Sequence, residues 1–141
     1  MELEVAQYLA SKKHKPHEWA INDCNTFIVE WIDKQYGTDF EGLLQFDCTS
    51  ALGAARYHKQ LPFNAEEFMY MAGYDAVEEG YDTQGFDTPN TKTGDVVLQN
   101  TGPWFCAWLV LQDLAYSIHH KMGFVGVPLN TLDTYTLWRR P

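Results

Sequence analysis

From Gly94 to the end, the chain is written in five short runs rich in β-branched and aromatic residues: "VVLQ", "FCAWLVLQ", "LAYSIH", "GFVGV" and "YTLWR". Short turn-like breaks separate them, so each reads as a strand and the set as an antiparallel meander. Before Gly94 the apolar residues recur at helical spacing instead. That single change of period restricts the chain to an α+β fold, with helices first and a C-terminal antiparallel sheet of about five strands to cover them.

The helical half divides at its own stop signals. Leu3, Ala6, Leu9 and Ala10 give a first helix over residues 2–12 that ends in the cations of Lys12-Lys13-His14-Lys15 before Pro16. From Cys24 to Tyr36, Phe27, Ile28, Trp31 and Ile32 form one broad face, capped at the start by Asn22 or Asp23 and closed by Gly37. "SALGAARYHK" predicts a third helix capped by Asp47, Thr49 or Ser50, and Asn64 with Glu67 has the capping-box order of a fourth that Gly73 stops. Residues 74–93 hold turn formers and acids without a period, which predicts a long loop or a short helix with an irregular tail.

At 141 residues the chain is the size of one domain, 1–141, and its 45% hydrophobic content is ample for a core. No apolar run approaches the ~20 residues of a membrane span. The opening Met1-Glu2-Leu3-Glu4 lacks the parts of a secretory signal, so synthesis in a cytosol is expected, with export only inside a larger assembly. A formal charge of −9, with no basic stripe, argues against nucleic acid as a partner. Three cysteines, Cys24, Cys48 and Cys106, form an odd set without a CxxC pair, which argues against a disulfide framework and a structural zinc. Asp75, Glu78, Glu79, Asp82 and Asp87 do not follow the order of a calcium loop, so no metal or cofactor is expected.

A thiol in the first turn of a helix raises a chemical question. Unpaired backbone N–H groups and the positive end of the helix dipole favour a thiolate there, so Cys24 is a candidate nucleophile of lowered pKa. A base and its orienting partner would have to come from the sheet, because the Cys24 helix carries no histidine. The competing reading is a small buried core cysteine. A tight turn at Gln112-Asp113 would set Cys106 opposite His119, while a shift of one residue would offer His120 instead. An ordinary strand-end pair facing solvent is the plainer reading of His119 and His120. Cys106, between Phe105 and Ala107, reads as core, and His14 and His17 read as linker residues.

Trp19 and Cys24 in a W-x4-C spacing, Asp23 before the thiol, a helix behind it and then "GDVV" resemble the NlpC-type papain-like thiol hydrolases. More narrowly, "HEWAINDCNTFIVEWIDKQYG", "TSALGAAR", "GDVV" and "LWRRP" resemble a phage tail-associated family related to those cysteine peptidases. The resemblance implies a papain-like domain with Cys24 at the nucleophile position. It also expects a basic histidine at the start of the strand after "GDVV", where this chain has Cys106, and a polar partner on the next strand, where His119 and His120 stand. A phage tail structural or assembly component that has lost catalysis is therefore expected, residing in the virion among other tail proteins. The alternative is an active thiol hydrolase, a cell-wall peptidase or amidase acting on peptidoglycan through Cys24. Five large aromatics of the C-terminal half, Trp104, Trp108, Tyr116, Tyr135 and Trp138, suit either a core or subunit docking.

Overall fold

The computed structural model describes residues 1–44, 50–80, 91–102, 105–132 and 134–141. Among the described residues, five helices come first: α1 (Glu2–Lys12), α2 (Cys24–Tyr36), α3 (Phe40–Leu44), α4 (Ala51–Gln60) and α5 (Ala65–Met71). Strands β1 (Asp75–Gly80), β2 (Val96–Asn100), β3 (Phe105–Leu111), β4 (Leu114–His119), β5 (Gly123–Pro128) and β6 (Tyr135–Arg139) then form one antiparallel sheet. Its order is β1-β6-β2-β3-β4-β5. The fold is thus α+β with N-terminal helices and a C-terminal sheet, as the change of period predicts.

The sheet has six strands among the described residues, not five. Asp75–Gly80 falls in the stretch expected to be loop or short helix, yet it pairs along β6 through Asp75↔Arg139 and Gly80↔Tyr135. Asp75, exposed, suits an edge strand, where charge discourages further pairing, and a register shift between Ala76 and Glu78 interrupts the ladder. Neither feature produces the strict alternation that marks a strand in sequence. Residues 81–90, with Asp82 and Asp87, lie outside the described residues, as do Asp47, Cys48, Thr49 and Trp104.

Capping chemistry places the helix ends where the sequence indicates. Asp23 caps α2 in a reciprocal box with Thr26, Gly37 ends α2 at φ 69°, and Asn64 with Glu67 boxes α5. Ser50, one of three expected alternatives, caps α4 by accepting from Gly53 N. Helix α3 was not expected; Asp33, near the end of α2, accepts from Phe40 N at 2.9 Å and Glu41 N at 3.0 Å and so caps it from seven residues upstream. Helix α1 runs over the expected residues but buries Val5, Tyr8, Leu9 and Lys12, leaving Leu3 exposed. Tyr8 and Lys12 supply the face because Tyr8 Oη donates to Phe27 O and the Lys12 ammonium pairs with Glu30.

One core lies between the helices and the sheet face bearing Val96, Leu98, Ala107, Leu109, Ile118 and Trp138, with Phe27, Trp31 and Ile32 of α2 against it. A second cluster joins Val97, Trp108, Val110, Ala115, Tyr135 and Leu137 with Leu129 and Leu132, and it includes Cys24 and Cys106. Two of the sequence motifs meet directly. Asp95 of "GDVV", 2% exposed, accepts from Arg139 Nε at 2.9 Å and Nη2 at 2.7 Å, joining the start of β2 to the "LWRRP" strand by a fork-to-carboxylate pair.

Candidate thiol site

The loop before Cys24 is tied down by its own polar residues. Asn22 Nδ2 donates to Lys15 O at 3.2 Å and Pro16 O at 2.7 Å, and Glu18 bridges Asn22. Asp23 Oδ2 accepts from Ala20 N at 2.8 Å, holding Ala20 at a left-handed φ of 65°. Asp23 Oδ1 accepts from Asn25 N at 3.0 Å and Thr26 N at 2.8 Å, while Asp23 O takes Phe27 N. The "IND" preceding the thiol is therefore a structural clamp that folds residues 15–22 back over the helix start.

That clamp brings His17 and Trp19 to the thiol. Cys24, Cys106, Gln99, Thr101, Ile118, His17, Trp19, His119 and His120 line one cavity of about 180 Å³. The rings follow one another along its wall: His17 meets Trp19 edge-on at 4.5 Å, Trp19 stacks on His120 at 6.2 Å, and His120 stacks on His119 at 4.5 Å. All the sequence-designated site residues are thus at one place. His17, read as a linker residue, joins them; the signal for it lay in the Asn22 side chain, which can satisfy the carbonyls of a loop only by pulling that loop onto the helix.

The chemistry of Cys24 departs from expectation. It is the first residue of α2, as predicted, but it is 5% exposed and its pKa is raised well above the ordinary thiol value rather than lowered. The causes, largest first, are its hydrogen bond to Cys106, burial, the Cys106 charge and the Asp23 carboxylate; a backbone hydrogen bond to Ala107 acts weakly the other way. The dipole argument fails because the cap competes with it. Asp23 absorbs the N–H groups that would have steadied a thiolate and puts its own negative charge beside the sulfur. The same N–H groups of Asn25, Thr26 and Phe27 are consequently committed, and do not form an oxyanion hole.

Cys106 occupies the start of β3, paired with Gln99 of β2. The hairpin register is the expected one where it forms, from Leu111↔Leu114 to Leu109↔Tyr116. It stops there, so Cys106 does not pair with His119: Ser117 Oγ donates to Ala107 O at 2.7 Å and lies 4.0 Å from Cys106 Sγ, and His119 pairs instead with Gly123 of β5. His119 is half-buried and His120 exposed. His119 Nδ1 accepts from Lys121 N at 3.1 Å and Met122 N at 3.3 Å, which leaves the proton of the neutral ring on Nε2. Burial first, then the charges of His120, Lys121 and His17, lower the His119 pKa, and burial lowers that of His17.

A second polar pair flanks the helix start. Asn25 Nδ2 lies 3.0 Å from His58 Nε2, so the His58 ring accepts there and carries its proton on Nδ1 when neutral. Burial lowers the His58 pKa, against the pull of Asp23. Among the described residues, no group of three or more His, Cys, Asp or Glu side chains is placed to hold a metal ion, and no helix is long and apolar enough to cross a membrane.

No curated protein matches the chain. A family model does, over residues 1–139, and so covers the loop clamp, the thiol cavity and the Asp95–Arg139 pair alike: the chain belongs to the family described as a domain of unknown function (DUF6950).

Proposed function

We propose that this protein is a structural or assembly component of a phage tail, built on an NlpC-type papain-like scaffold whose thiol site no longer performs catalysis. One observation carries the reading: Cys24, at the nucleophile position, is buried in one cluster with Cys106, the residue standing where the base is expected. A thiol hydrolase needs a thiolate and an acceptor nitrogen within reach of it. Here the sulfur shares its buried cluster with another thiol, and the acceptor nitrogen of His119 is taken by the backbone of its own turn. Other tail proteins are the partners this reading implies, with the virion as the location.

The second reading, a thiol hydrolase acting on peptidoglycan, is favoured by the cavity itself, which collects His17, His119 and His120 beside Cys24. In that case an imidazole takes the thiol proton, the sulfur attacks an acyl carbon and expels its amine, which leaves with that proton, and water then cleaves the thioester to free the acid and the thiol.

Cys24→Ala separates the two. The substitution removes one buried sulfur and costs about 1–2 kcal/mol, so the domain folds and the result is readable once melting is checked. The assembly role expects tails that form and infect as wild type does. A hydrolase expects particles that assemble but fail to infect, with His17→Ala or His120→Ala reproducing the defect.

A further inference from the structure

We propose that Cys24 and Cys106 are an oxidisable dithiol, a site at which a small hydroperoxide closes a disulfide that locks α2 onto β3. Both cysteines line one cavity, belong to one buried cluster and are 5% exposed, and each is set by a rigid element. Cys24 is fixed as the first residue of α2 by the Asp23–Thr26 box, and Cys106 by its pairing with Gln99. Burial shields the pair from thiols of other chains, so each sulfur's accessible partner is the other. The cavity beside them, about 180 Å³, has room for several water-sized molecules and hence for hydrogen peroxide.

The chemistry balances with the peroxide as the sole oxidant. One sulfur attacks a peroxide oxygen, the O–O bond breaks, and a sulfenic acid and one water result. The second sulfur then attacks the sulfenic sulfur, the S–O bond breaks, and the hydroxide leaves as water with the remaining thiol proton. Two electrons pass from the pair of sulfurs to the peroxide. The raised Cys24 pKa slows its reaction with ordinary alkylating agents, while the closing step stays intramolecular. The crosslink spans the chain from residue 24 to residue 106, a loop long enough to restrict the unfolded ensemble strongly. This inference does not depend on the tail reading; it concerns the thiol pair in either functional class.

The test uses the full chain carrying Cys48→Ser, so that a single intramolecular pair remains, treated with hydrogen peroxide and then alkylated in denaturant. Non-reducing peptide mass spectrometry should recover the Cys24 peptide joined to the Cys106 peptide, lighter by two hydrogens than their sum. The oxidised protein should melt roughly 10 °C above the reduced one, reversibly with dithiothreitol. Cys106→Ser should abolish both the link and the rise. Should that variant not fold, the peptide link and its reversal in the Cys48→Ser protein decide the matter alone. Recovery of both cysteines alkylated, oxidation of either to sulfinic acid without a link, or links only between molecules would each overturn the proposal. A link with unchanged melting would overturn the lock.

Discussion

Asp23 fixes the helix start and adds to what Cys106 and burial do to its neighbour. Its carboxylate caps α2, straps the preceding loop through Ala20 N, and by its charge helps to keep the Cys24 thiol protonated. Native protein at about pH 7 should therefore alkylate at Cys24 with iodoacetamide much more slowly than the same chain in denaturant. Equal rates would mean an exposed, activated thiol. Histidine gives a second expectation at this scale. The folded-state pKa of His58 lies below its unfolded value because burial disfavours the imidazolium. Above the unfolded pKa both states are neutral and nothing is lost; as pH falls below about 6.5 the unfolded chain binds the proton first, and stability declines. His17 and His119 shift the same way and add to the decline. Denaturant unfolding between about pH 7 and pH 5 should show it, with a shallower slope in His58→Gln; a slope unchanged by that substitution would remove His58 as a contributor.

At the scale of elements, the join between β2 and β6 rests on Asp95. It accepts from Arg139 through two nitrogens and from Lys92 N at 2.8 Å, all from a nearly inaccessible position. Asp95→Ala strips the guanidinium of its partner and leaves the Lys92 N–H unmet, which should cost about 2–4 kcal/mol in equilibrium unfolding. A loss within about 0.5 kcal/mol of zero would show that solvent replaces the pair without penalty. The helices show the same economy of side chains. Asp33 caps α3 while lying in α2, and Asn22 holds the loop that delivers His17. Both are polar residues whose partners are fixed by folding rather than by spacing.

For the whole molecule, the order of strands matters more than their number. β6, the last in the chain, lies between β1 and β2, and it contributes Leu137 and Trp138, at 0% and 1% exposure, to opposite faces of the sheet. Deleting residues 134–141 would open two backbone ladders at once and empty part of both cores. Such a chain is expected to lack a cooperative melting transition and to be digested rapidly by a protease; a sharp transition near that of the full chain would contradict the central role of β6.

The residues by themselves determined the class of the fold, since the period of the apolar residues changes from helical to alternating near Gly94 and each period admits one kind of element. They also determined the cap of α5 and narrowed that of α2 to Asn22 or Asp23, because cap residues act within three residues of their targets. Three things escaped: β1, whose edge position only the placement of β6 creates; α3, capped by Asp33 from α2; and the state of the thiol. Cys24 at a helix start reads as activated when its neighbours in sequence are considered alone. Only the tertiary structure sets Cys106 against it and folds the Asn22 loop over it, and burial with an opposing thiol outweighs a dipole whose donors Asp23 has already taken. Local hydrogen bonds can be read along a chain because they close over short spans; a pKa sums charge and desolvation over everything that packs nearby.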